Sequence, residues 1–372
     1  MTMGLTQKLQ DCNISWVDIF VTERCNMKCE YCFHVQKPRD MEYDILEKSI
    51  DFLADKISPE VVFNFFGGEP LMRPDFCLDW MTKLKERFPK CRFHMSTNGT
   101  VVNKEIAELF KSKDYVFQIS YDSLDQEKHR GHRDVVENNI QVYLGLIGPE
   151  NINARLTYTK DTVKNLLPNM VHIYEAGIRK VMHHAVINND WEEGDIEEYG
   201  NQIDKIYELL DDLKDFHLTF CDHTKVTQGK QRVICGAGKN VVAINAIGEL
   251  FPCHRMINHP EMKIGNAVEG ELDRGRFISL KLPECDSCEA KPTCHPCIAA
   301  NYEATGSMLE LLPATCGINK YEYKKAKDKY IELLGPLPGE DDLLENMTRV
   351  LLDIKQINNE IMEEIRNEKP IN

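Results

Sequence analysis

The residues with the clearest chemical potential are three cysteines near the start of the chain. Cys25, Cys29 and Cys32 stand in the segment CNMKCEYC, so their thiols belong to one short loop. Three thiolates in such a loop can hold three irons of a [4Fe–4S] cluster and leave the fourth iron open to a substrate or cofactor. A zinc loop that takes a further ligand, such as His34, is the alternative. Both interpretations predict a metal site here.

A second set of cysteines lies between residues 235 and 316. Its seven members are Cys235, Cys253, Cys285, Cys288, Cys294, Cys297 and Cys316. Two Cys-x2-Cys pairs within the set could form a four-cysteine zinc site, but three cysteines would then be left over. Because this stretch has too few apolar residues for an ordinary core, we expect metal ligation to hold it together.

A third chemical signal is the segment Gly67-Gly68-Glu69-Pro70. Two glycines let the backbone approach a ligand closely, because they carry no side chain. A carboxylate that follows them can accept hydrogen bonds from an ammonium group. Without its surroundings, however, the segment also suits an ordinary turn.

The elements that must position these residues alternate along the chain. Short β-branched or aromatic runs predict six strands, at 16–21, 61–66, 92–97, 116–121, 155–159 and 180–186. Helical patterns follow them, at 43–56, 74–87, 103–112, 135–146, 166–176 and 197–213. Six strand–helix units imply a parallel sheet with right-handed crossovers. The predicted fold is α/β, a partial (β/α)6 TIM-like barrel with its chemistry at the C-terminal ends of the strands.

The same patterns predict five segments. Residues 1–14 form an N-terminal lead-in and residues 15–215 form the barrel. A bridging segment at 216–234 leads to a small cysteine-rich domain at 235–318. Residues 319–372 are expected to form one or two C-terminal helices, broken near 335–339 by prolines and glycines.

Composition and charge exclude several classes of partner. The formal net charge is −15 and no long lysine- or arginine-rich run occurs, which argues against nucleic acid. No run of about 18 apolar residues exists, so we expect no membrane span. The N-terminus lacks a signal-peptide pattern, and the expected location is the cytoplasm, where cysteines serve as thiols rather than disulfides.

The cysteine triplet after the first strand resembles the signature of the radical S-adenosylmethionine (SAM) superfamily, and the segment 67–70 resembles the methionine-binding GGEP motif of that family. The resemblance implies that SAM binds the open iron of a [4Fe–4S] cluster. One electron from the cluster would break the S–C5′ bond, and the 5′-deoxyadenosyl radical would abstract hydrogen from the substrate. Tyr31 matches the aromatic position that packs near the adenine.

Further SAM-binding residues are implied by matching positions. Glu69 would meet the methionine amino group, and Arg130 resembles the arginine that pairs with the methionine carboxylate. Arg133 and Arg155 are rivals for that second role. The predicted SAM-binding residues are Tyr31, Gly67, Gly68, Glu69, Pro70, Ser96, Asn98, Ser120, Asp122 and Arg130.

The second cysteine set resembles the SPASM domain, whose seven cysteines hold two auxiliary [4Fe–4S] clusters. The resemblance assigns the distal cluster to Cys285, Cys288, Cys294 and Cys316, and the nearer cluster to Cys235, Cys253 and Cys297. The fourth ligand of the nearer cluster is either Cys221 or an open site. The last short spacing is two residues here and three in the commoner pattern, which leaves the wrapping of that pair open. The implied cofactors are three [4Fe–4S] clusters and SAM.

Members with this arrangement mostly modify peptides or proteins. The resemblance therefore implies hydrogen abstraction from a peptide or protein substrate, followed by a thioether, a carbon–carbon bond or an oxidised side chain. The alternatives are formylglycine formation on a sulfatase, oxidation of a small molecule, and a non-enzymatic iron–sulfur electron carrier. In sulfatase-maturating relatives an aspartate base follows the cysteine that matches Cys253, and this chain has His254 there.

Two consequences concern mechanism and partners. His254 is the predicted catalytic proton acceptor, and the alternative is an outer hydrogen bond to the cluster sulfurs. A reductant such as flavodoxin or ferredoxin would be needed. Because 24 residues precede Cys25, we expect leader recognition to come from a separate protein or from the C-terminal helices, or not to occur.

Overall fold

The computed structural model describes residues 14–187, 190–213, 215–218, 235–294 and 296–334. Most of the predicted lead-in and bridging segments lie outside these residues, and so does Cys221. The predicted C-terminal segment is described as far as residue 334.

The described residues form eleven strands in one sheet. The strands are β1 (Ile14–Thr22), β2 (Ile57–Gly67), β3 (Arg92–Thr97), β4 (Tyr115–Ser120), β5 (Ile152–Tyr158), β6 (Lys180–Ala185), β7 (His217–Leu218), β8 (Val241–Ile244), β9 (Glu249–Phe251), β10 (Gly265–Asn266) and β11 (Glu271–Leu272).

Ten α-helices accompany the strands within the described part of the chain. They are α1 (Tyr43–Leu53), α2 (Pro74–Arg87), α3 (Lys104–Leu109), α4 (Gln126–His129), α5 (Arg133–Ile147), α6 (Leu166–Glu175), α7 (Glu193–Asp212), α8 (Gly275–Ile278), α9 (Ile298–Thr305) and α10 (Pro313–Leu334).

The sheet orders its first seven strands as they occur in the chain. β1 to β7 lie side by side, and each neighbouring pair is parallel. The carboxyl ends of these strands therefore meet at one rim, where the strand ends and the following loops of β1, β2, β3 and β4 carry the predicted SAM-binding residues. The prediction of a partial TIM-like barrel is confirmed, with the short β7 as an additional strand.

The cysteine-rich region continues the same sheet. β8 pairs in parallel with the free edge of β1, and β9, β10 and β11 follow as antiparallel neighbours. This pairing places the residues after β9 beside the barrel interior.

The core forms because the parallel strands bury both faces. Val17, Ile19 and Val21 of β1 are fully buried on one face. Helix α1 covers the sheet with Leu46, Ile50 and Leu53, whose spacing puts them on one side of a helix.

The predicted bounds differ from the structure by up to four residues, at helix ends as well as at strand starts; α7, for example, begins at Glu193 rather than at residue 197. β2 begins at Ile57 rather than residue 61, because Ile57 pairs with Ile14 although the intervening residues lack a β pattern. β5 begins at Ile152 rather than residue 155. Within the described ranges, no helix combines the length and the apolar character that a membrane span requires.

Candidate active site

The cysteine triplet lies in the long loop between β1 and α1. Cys25 and Cys29 are half-buried, and Cys32 is exposed. The Cys25 sulfur accepts a hydrogen bond from the Met27 backbone N–H at 3.4 Å and another from the Asn98 side-chain amide at 3.7 Å. The loop after β3 therefore contacts the first cysteine directly.

The two glycines after β2 hold this loop in place. A Cβ on Gly68 would lie 1.9 Å from the Arg24 carbonyl oxygen, and one on Gly67 would lie 2.2 Å from that of Thr22. The backbone N–H groups of Gly68 and Glu69 donate to the carbonyl oxygens of Thr22 and Arg24, at 2.8 and 2.9 Å. The two glycines therefore approach the backbone that leads into the cysteine loop.

Glu69 is fully buried and tied to its neighbours. Its carboxylate accepts from the Leu71 N–H at 2.9 Å, the Thr97 hydroxyl at 2.8 Å and the Asn98 N–H at 2.7 Å. Burial raises the Glu69 pKa to about 7, while these hydrogen bonds oppose the rise. Pro70, also buried, opens the short 3₁₀ turn Pro70–Met72 that follows. Glu69 thus joins the end of β2 to the end of β3.

Tyr31, Asp122 and Arg130 meet on the other side of the loop. The Tyr31 hydroxyl donates to Asp122, and the Arg130 guanidinium lies 5.0 Å from the centre of the Tyr31 ring. Arg130 Nε donates to Asp122 Oδ2 at 2.8 Å, and its Nη2 donates to the Thr157 hydroxyl at 3.1 Å. Cys29 also lies beside the Arg130 charge. Three predicted SAM-binding residues therefore form one contact network with the second cysteine.

The remaining predicted residues lie on neighbouring strands. Ser96 pairs with Gln118 of β4, and Ser120 at the end of β4 pairs with Arg155 of β5. Both serines are half-buried. Of the rivals to Arg130, Arg133 pairs with Glu137 at 2.7 Å, whereas Arg155 lies in the cavity described below.

The seven later cysteines lie in two places in the structure. Burial, together with the nearby thiols of Cys285, Cys316 and Cys288, raises the pKa of Cys294 to about 12. A small cavity is lined by these four cysteines. Burial and the nearby thiols of Cys297 and Cys235 raise the pKa of Cys253 well above its ordinary value. Each group offers several soft sulfur ligands at one place, which suits iron–sulfur chemistry.

Sites for a single metal ion, as distinct from an iron–sulfur cluster, require three or more ligands around one point. Over the residues that the structure describes, no group of three or more His, Cys, Asp and Glu side chains has the arrangement of a metal-ion site.

A cavity of about 430 Å³ lies between the barrel and the cysteine-rich region. Asp18 and Arg155 line it from the barrel, and Phe33 lines it from the loop that carries the first cysteines. Cys235, Cys253 and Cys297 line it from the other side. The cavity therefore lies beside the nearer cysteine group.

His254 lies in this cavity and is held by the barrel. Its Nδ1 is 2.9 Å from Asp18 Oδ2, and its backbone N–H donates to the same oxygen at 3.2 Å. The Trp16 indole N–H and the Asn64 amide both donate to Asp18 Oδ1 at 2.7 Å. Because Asp18 takes Nδ1, the other imidazole nitrogen is available toward the cavity.

The contact with His254 changes the pKa of Asp18. Burial opposes ionisation of Asp18, but His254 and the hydrogen-bond donors lower the Asp18 pKa overall. Sequence reasoning missed Asp18, although an acidic residue inside the apolar run WVDIFV was a visible signal.

Aromatic rings join the two cysteine regions. Phe33 follows Cys32, and its ring centre lies 5.6 Å from that of His254, which follows Cys253. The ring centre of Phe66, the residue before Gly67, lies 4.9 Å from that of His254. The Asn258 amide also donates to the Phe33 carbonyl oxygen at 2.9 Å. The first cysteine loop and the nearer cysteine group therefore share one packed junction.

Comparison with known proteins gives a family match and similar proteins. A family model described as the radical SAM superfamily matches residues 19–203. Mycofactocin maturase MftC of Mycobacterium tuberculosis (strain ATCC 25618 / H37Rv) is 24% identical over 344 residues, which cover 84% of this chain and 85% of that protein. The serine-type anaerobic sulfatase-maturating enzyme of Bacteroides thetaiotaomicron is 32% identical over 121 residues, which cover 29% of each.

A solved structure shares the fold. Native anSMEcpe with bound AdoMet and Cp18Cys peptide matches with a TM-score of 0.69 at 18% identity, over 86% of this chain and 98% of that chain. The shared fold therefore extends beyond residues 19–203.

Proposed function

We propose that this chain, whose residues 19–203 match the radical SAM superfamily, is an enzyme that modifies a peptide or protein. The proposed reaction abstracts hydrogen from the substrate and installs a thioether, a carbon–carbon bond or an oxidised side chain. The observation that carries the proposal is the cavity bounded by barrel residues on one side and by Cys235, Cys253 and Cys297 on the other.

We further propose three [4Fe–4S] clusters. Cys25, Cys29 and Cys32 would hold the first, and the open iron would accept SAM. The second cysteine set would act as a SPASM domain over 235–318, with its seven cysteines divided into the two groups that the sequence predicts. Once bound, the first cluster and SAM would supply one-electron reductive cleavage and hydrogen abstraction.

The residues of the chain would bind and orient these groups. Asn98 and the Arg130–Asp122 pair lie against Cys25 and Cys29, where SAM must approach the first cluster. Glu69 accepts three hydrogen bonds that fix the loops after β2 and β3, and its remaining acceptor site would meet the methionine amino group. The glycines allow those loops to contact the cysteine loop directly.

His254 would take a proton from the substrate. Its Nδ1 is engaged by Asp18, and its ring lies among Phe33 and Phe66 at the junction of the two cysteine regions. A positioned imidazole of this kind is a common general base near neutral pH. The position next to Cys253 would also let His254 affect the nearer auxiliary cluster.

The peptide substrate is supported by two similar proteins. MftC, which matches over most of both chains, is named as a maturase, and the fold is shared with a protein solved with a bound peptide. Formylglycine formation is the second candidate, because a sulfatase-maturating enzyme is 32% identical over part of the chain. The presence of His254 where such enzymes are expected to have aspartate favours the first candidate. Oxidation of a small molecule is the third, and the enzyme superfamily argues against a simple electron carrier.

The proposed setting follows from the cofactors. Exposed iron–sulfur clusters are oxygen-sensitive, which suits an anaerobic or microaerobic cytoplasm. A flavodoxin or ferredoxin would supply the electron, and a separate leader-recognition protein would present the substrate.

The test is anaerobic reconstitution followed by reaction with SAM and dithionite. We expect 5′-deoxyadenosine from the parent protein and none from a Cys25/Cys29/Cys32→Ala variant. Co-expression with short peptides encoded beside the gene, followed by mass spectrometry, then tests the substrate class. A peptide that loses two hydrogens and does not react with a hydrazide supports a cross-link, whereas an aldehyde that reacts supports formylglycine. Absence of 5′-deoxyadenosine from the fully reconstituted parent would refute the proposed activity.

A further inference from the structure

Arg155 is a charged residue of the cavity with an unusual lack of partners. It lies on β5, is half-buried, and lines the cavity. Within the described part of the chain, its guanidinium makes no hydrogen bond and no ion pair. A guanidinium offers five donors in a fixed fork, so those of Arg155 that face the cavity are available to a ligand.

The other charged groups of the cavity are already paired. Asp18 accepts from Trp16, Asn64 and His254. Glu322 of α10 accepts from the Tyr199 hydroxyl at 2.6 Å and lies 3.1 Å from His183 Nε2. Arg255 donates to Glu303 at 2.8 and 2.6 Å. No described carboxylate of the cavity is therefore left for Arg155.

The surroundings of Arg155 are electropositive. Burial and the nearby charge of Arg130 lower the Arg155 pKa to about 10. Burial and the charge of Arg155 in turn lower the pKa of His184 well below its ordinary value. A bound anion would relieve this repulsion and supply the missing acceptors.

Other arginines lie beside the nearer cysteine group and beside the expected SAM site. Arg255 is the guanidinium beside the Cys297 and Cys253 thiols, so it balances the charge of the nearer cysteine group. Arg130 is the guanidinium beside Cys29, where SAM is expected to bind. Arg155 is close enough to both Arg130 and Arg255 to feel their charges, and it lines the cavity.

We propose that Arg155 binds a carboxylate of the substrate in this cavity, through its two-armed guanidinium. The inference rests on the proposed function and adds a substrate class, namely a peptide with a carboxylate close to the modified residue. The carboxylate can come from an acidic side chain or from the C-terminus. Trp16, Tyr158 and Ile298 supply apolar wall nearby, which suits the rest of such a residue.

Three neutral or singly charged probes of matched shape test the proposal. N-acetylglutamate α-amide carries only the side-chain carboxylate, N-acetylglutamine carries only the terminal carboxylate, and N-acetylglutaminamide carries neither. Each is titrated by anaerobic isothermal calorimetry into the reconstituted full-length protein with SAM bound. We expect at least one carboxylate probe to bind about tenfold or more tightly than the diamide, as charge-assisted hydrogen bonds imply. The stronger of the two identifies the source of the carboxylate.

Variants of Arg155 then assign the effect. We expect Arg155→Gln to abolish the preference and Arg155→Lys to keep part of it, because lysine retains the charge but not the fork. Arg179→Gln is the matched control, since Arg179 pairs with Asp215 at 2.8 Å and does not line the cavity. Iron content and circular dichroism of each variant verify its fold.

Two results would overturn the inference. The first is equal binding of all three probes to the parent protein, or a preference that persists in Arg155→Gln. The second is an increase of tenfold or more in the KM for SAM in Arg155→Gln with no change in probe preference, which would assign Arg155 to the SAM carboxylate. A parent protein that fails to cleave SAM would instead refute the proposed function, so the two failures are distinguishable.

Discussion

Asp18 Oδ2 lies 2.9 Å from His254 Nδ1, although 236 residues separate the two in the chain. Asp18 belongs to β1, and His254 opens the 3₁₀ turn His254–Asn258 that follows β9. The contact depends on the pairing of β8 with β1 and of β9 with β8, which brings that turn beside the barrel. A carboxylate of the barrel therefore orients an imidazole of the cysteine-rich region.

Substitution of His254 tests its role as proton acceptor. We expect His254→Ala to reduce formation of modified peptide by about a hundredfold, the usual contribution of a general base, while 5′-deoxyadenosine still forms. His254→Asp should retain most of the activity, because a carboxylate at this position can also accept a proton. The measurement is product and 5′-deoxyadenosine by mass spectrometry in the same reactions. Equal activity of both variants and the parent would rule out the base role.

Asp18→Asn tests whether orientation of His254 matters. The Trp16 and Asn64 donors would keep the asparagine oxygen on their side, so its NH2 group would face His254 Nδ1. The imidazole would then carry its proton on Nε2 and lose its free acceptor toward the cavity. We expect a lower kcat for product with little change in the KM for SAM. Normal kcat in a correctly folded Asp18→Asn variant would show that the contact is only structural.

Arg130→Lys tests the SAM-binding network. Arg130 reaches Asp122 and Thr157 with separate nitrogens, and a lysine ammonium cannot reproduce that geometry. We expect the KM for SAM to rise about tenfold, measured from initial rates of 5′-deoxyadenosine formation. The control is Arg133→Lys, because Arg133 pairs with Glu137 instead. A larger effect in the control would assign the SAM carboxylate to Arg133.

Iron content tests the number of clusters. Three [4Fe–4S] clusters require about twelve irons per chain, and a Cys25/Cys29/Cys32→Ala variant should retain about eight. A Cys285/Cys288→Ala variant should also lose about four irons, since both cysteines belong to the distal group. The measurements are iron, sulfide and zinc after anaerobic reconstitution. About four irons that fall to none, with zinc retained, would make the later cysteines a structural zinc module.

The sequence was sufficient for the barrel. Alternating strand and helix patterns depend on local periodicity, and the predicted units at 16–21 and 74–87 coincide closely with β1 and α2. Strand starts were less predictable, because Ile57 joins β2 through its pairing with Ile14 rather than through its own pattern. The joining of β8 to β1 was missed for the same reason, since it is a long-range pairing.

The site was predicted where motifs are local and missed where contacts are distant. The residues after β1 and β2 were named from their spacing, but their contacts were not. Glu69, for example, was named as a ligand contact, and its three hydrogen bonds to the chain itself could not be read from its spacing. Asp18 and Phe33 reach His254 only through the fold, so the acidic residue inside WVDIFV could mark Asp18 but could not identify its partner.

Glu137 of α5 illustrates how the outer layer supports this site. Its Oε1 accepts from the Tyr121 hydroxyl and from Arg133 Nε, each at 2.7 Å, and lies 3.1 Å from His172 Nε2. Tyr121 follows β4 and precedes Asp122, so its hydrogen bond to Glu137 holds the end of β4 against α5. Burial raises the Glu137 pKa, but Tyr121, Arg133 and His172 lower it overall.

This lowered pKa predicts a pH-dependent effect on stability. A carboxylate whose pKa is lower in the folded state stabilises the protein above its unfolded pKa, and the effect is lost as the pH falls through the folded value. We therefore expect Glu137→Gln to reduce the free energy of unfolding by about 1 kcal/mol at pH 7, a modest value because the side chain is 30% exposed. The difference from the parent should shrink below about pH 4.5, the ordinary value for glutamate. Anaerobic urea unfolding of parent and variant at pH 7 and at lower pH measures it. Glu108→Gln is the control, because Glu108 pairs with Lys111 at the surface. A difference that stays constant or grows toward acid pH would contradict the assignment, because it would mean that the Glu137 charge does not stabilise the fold.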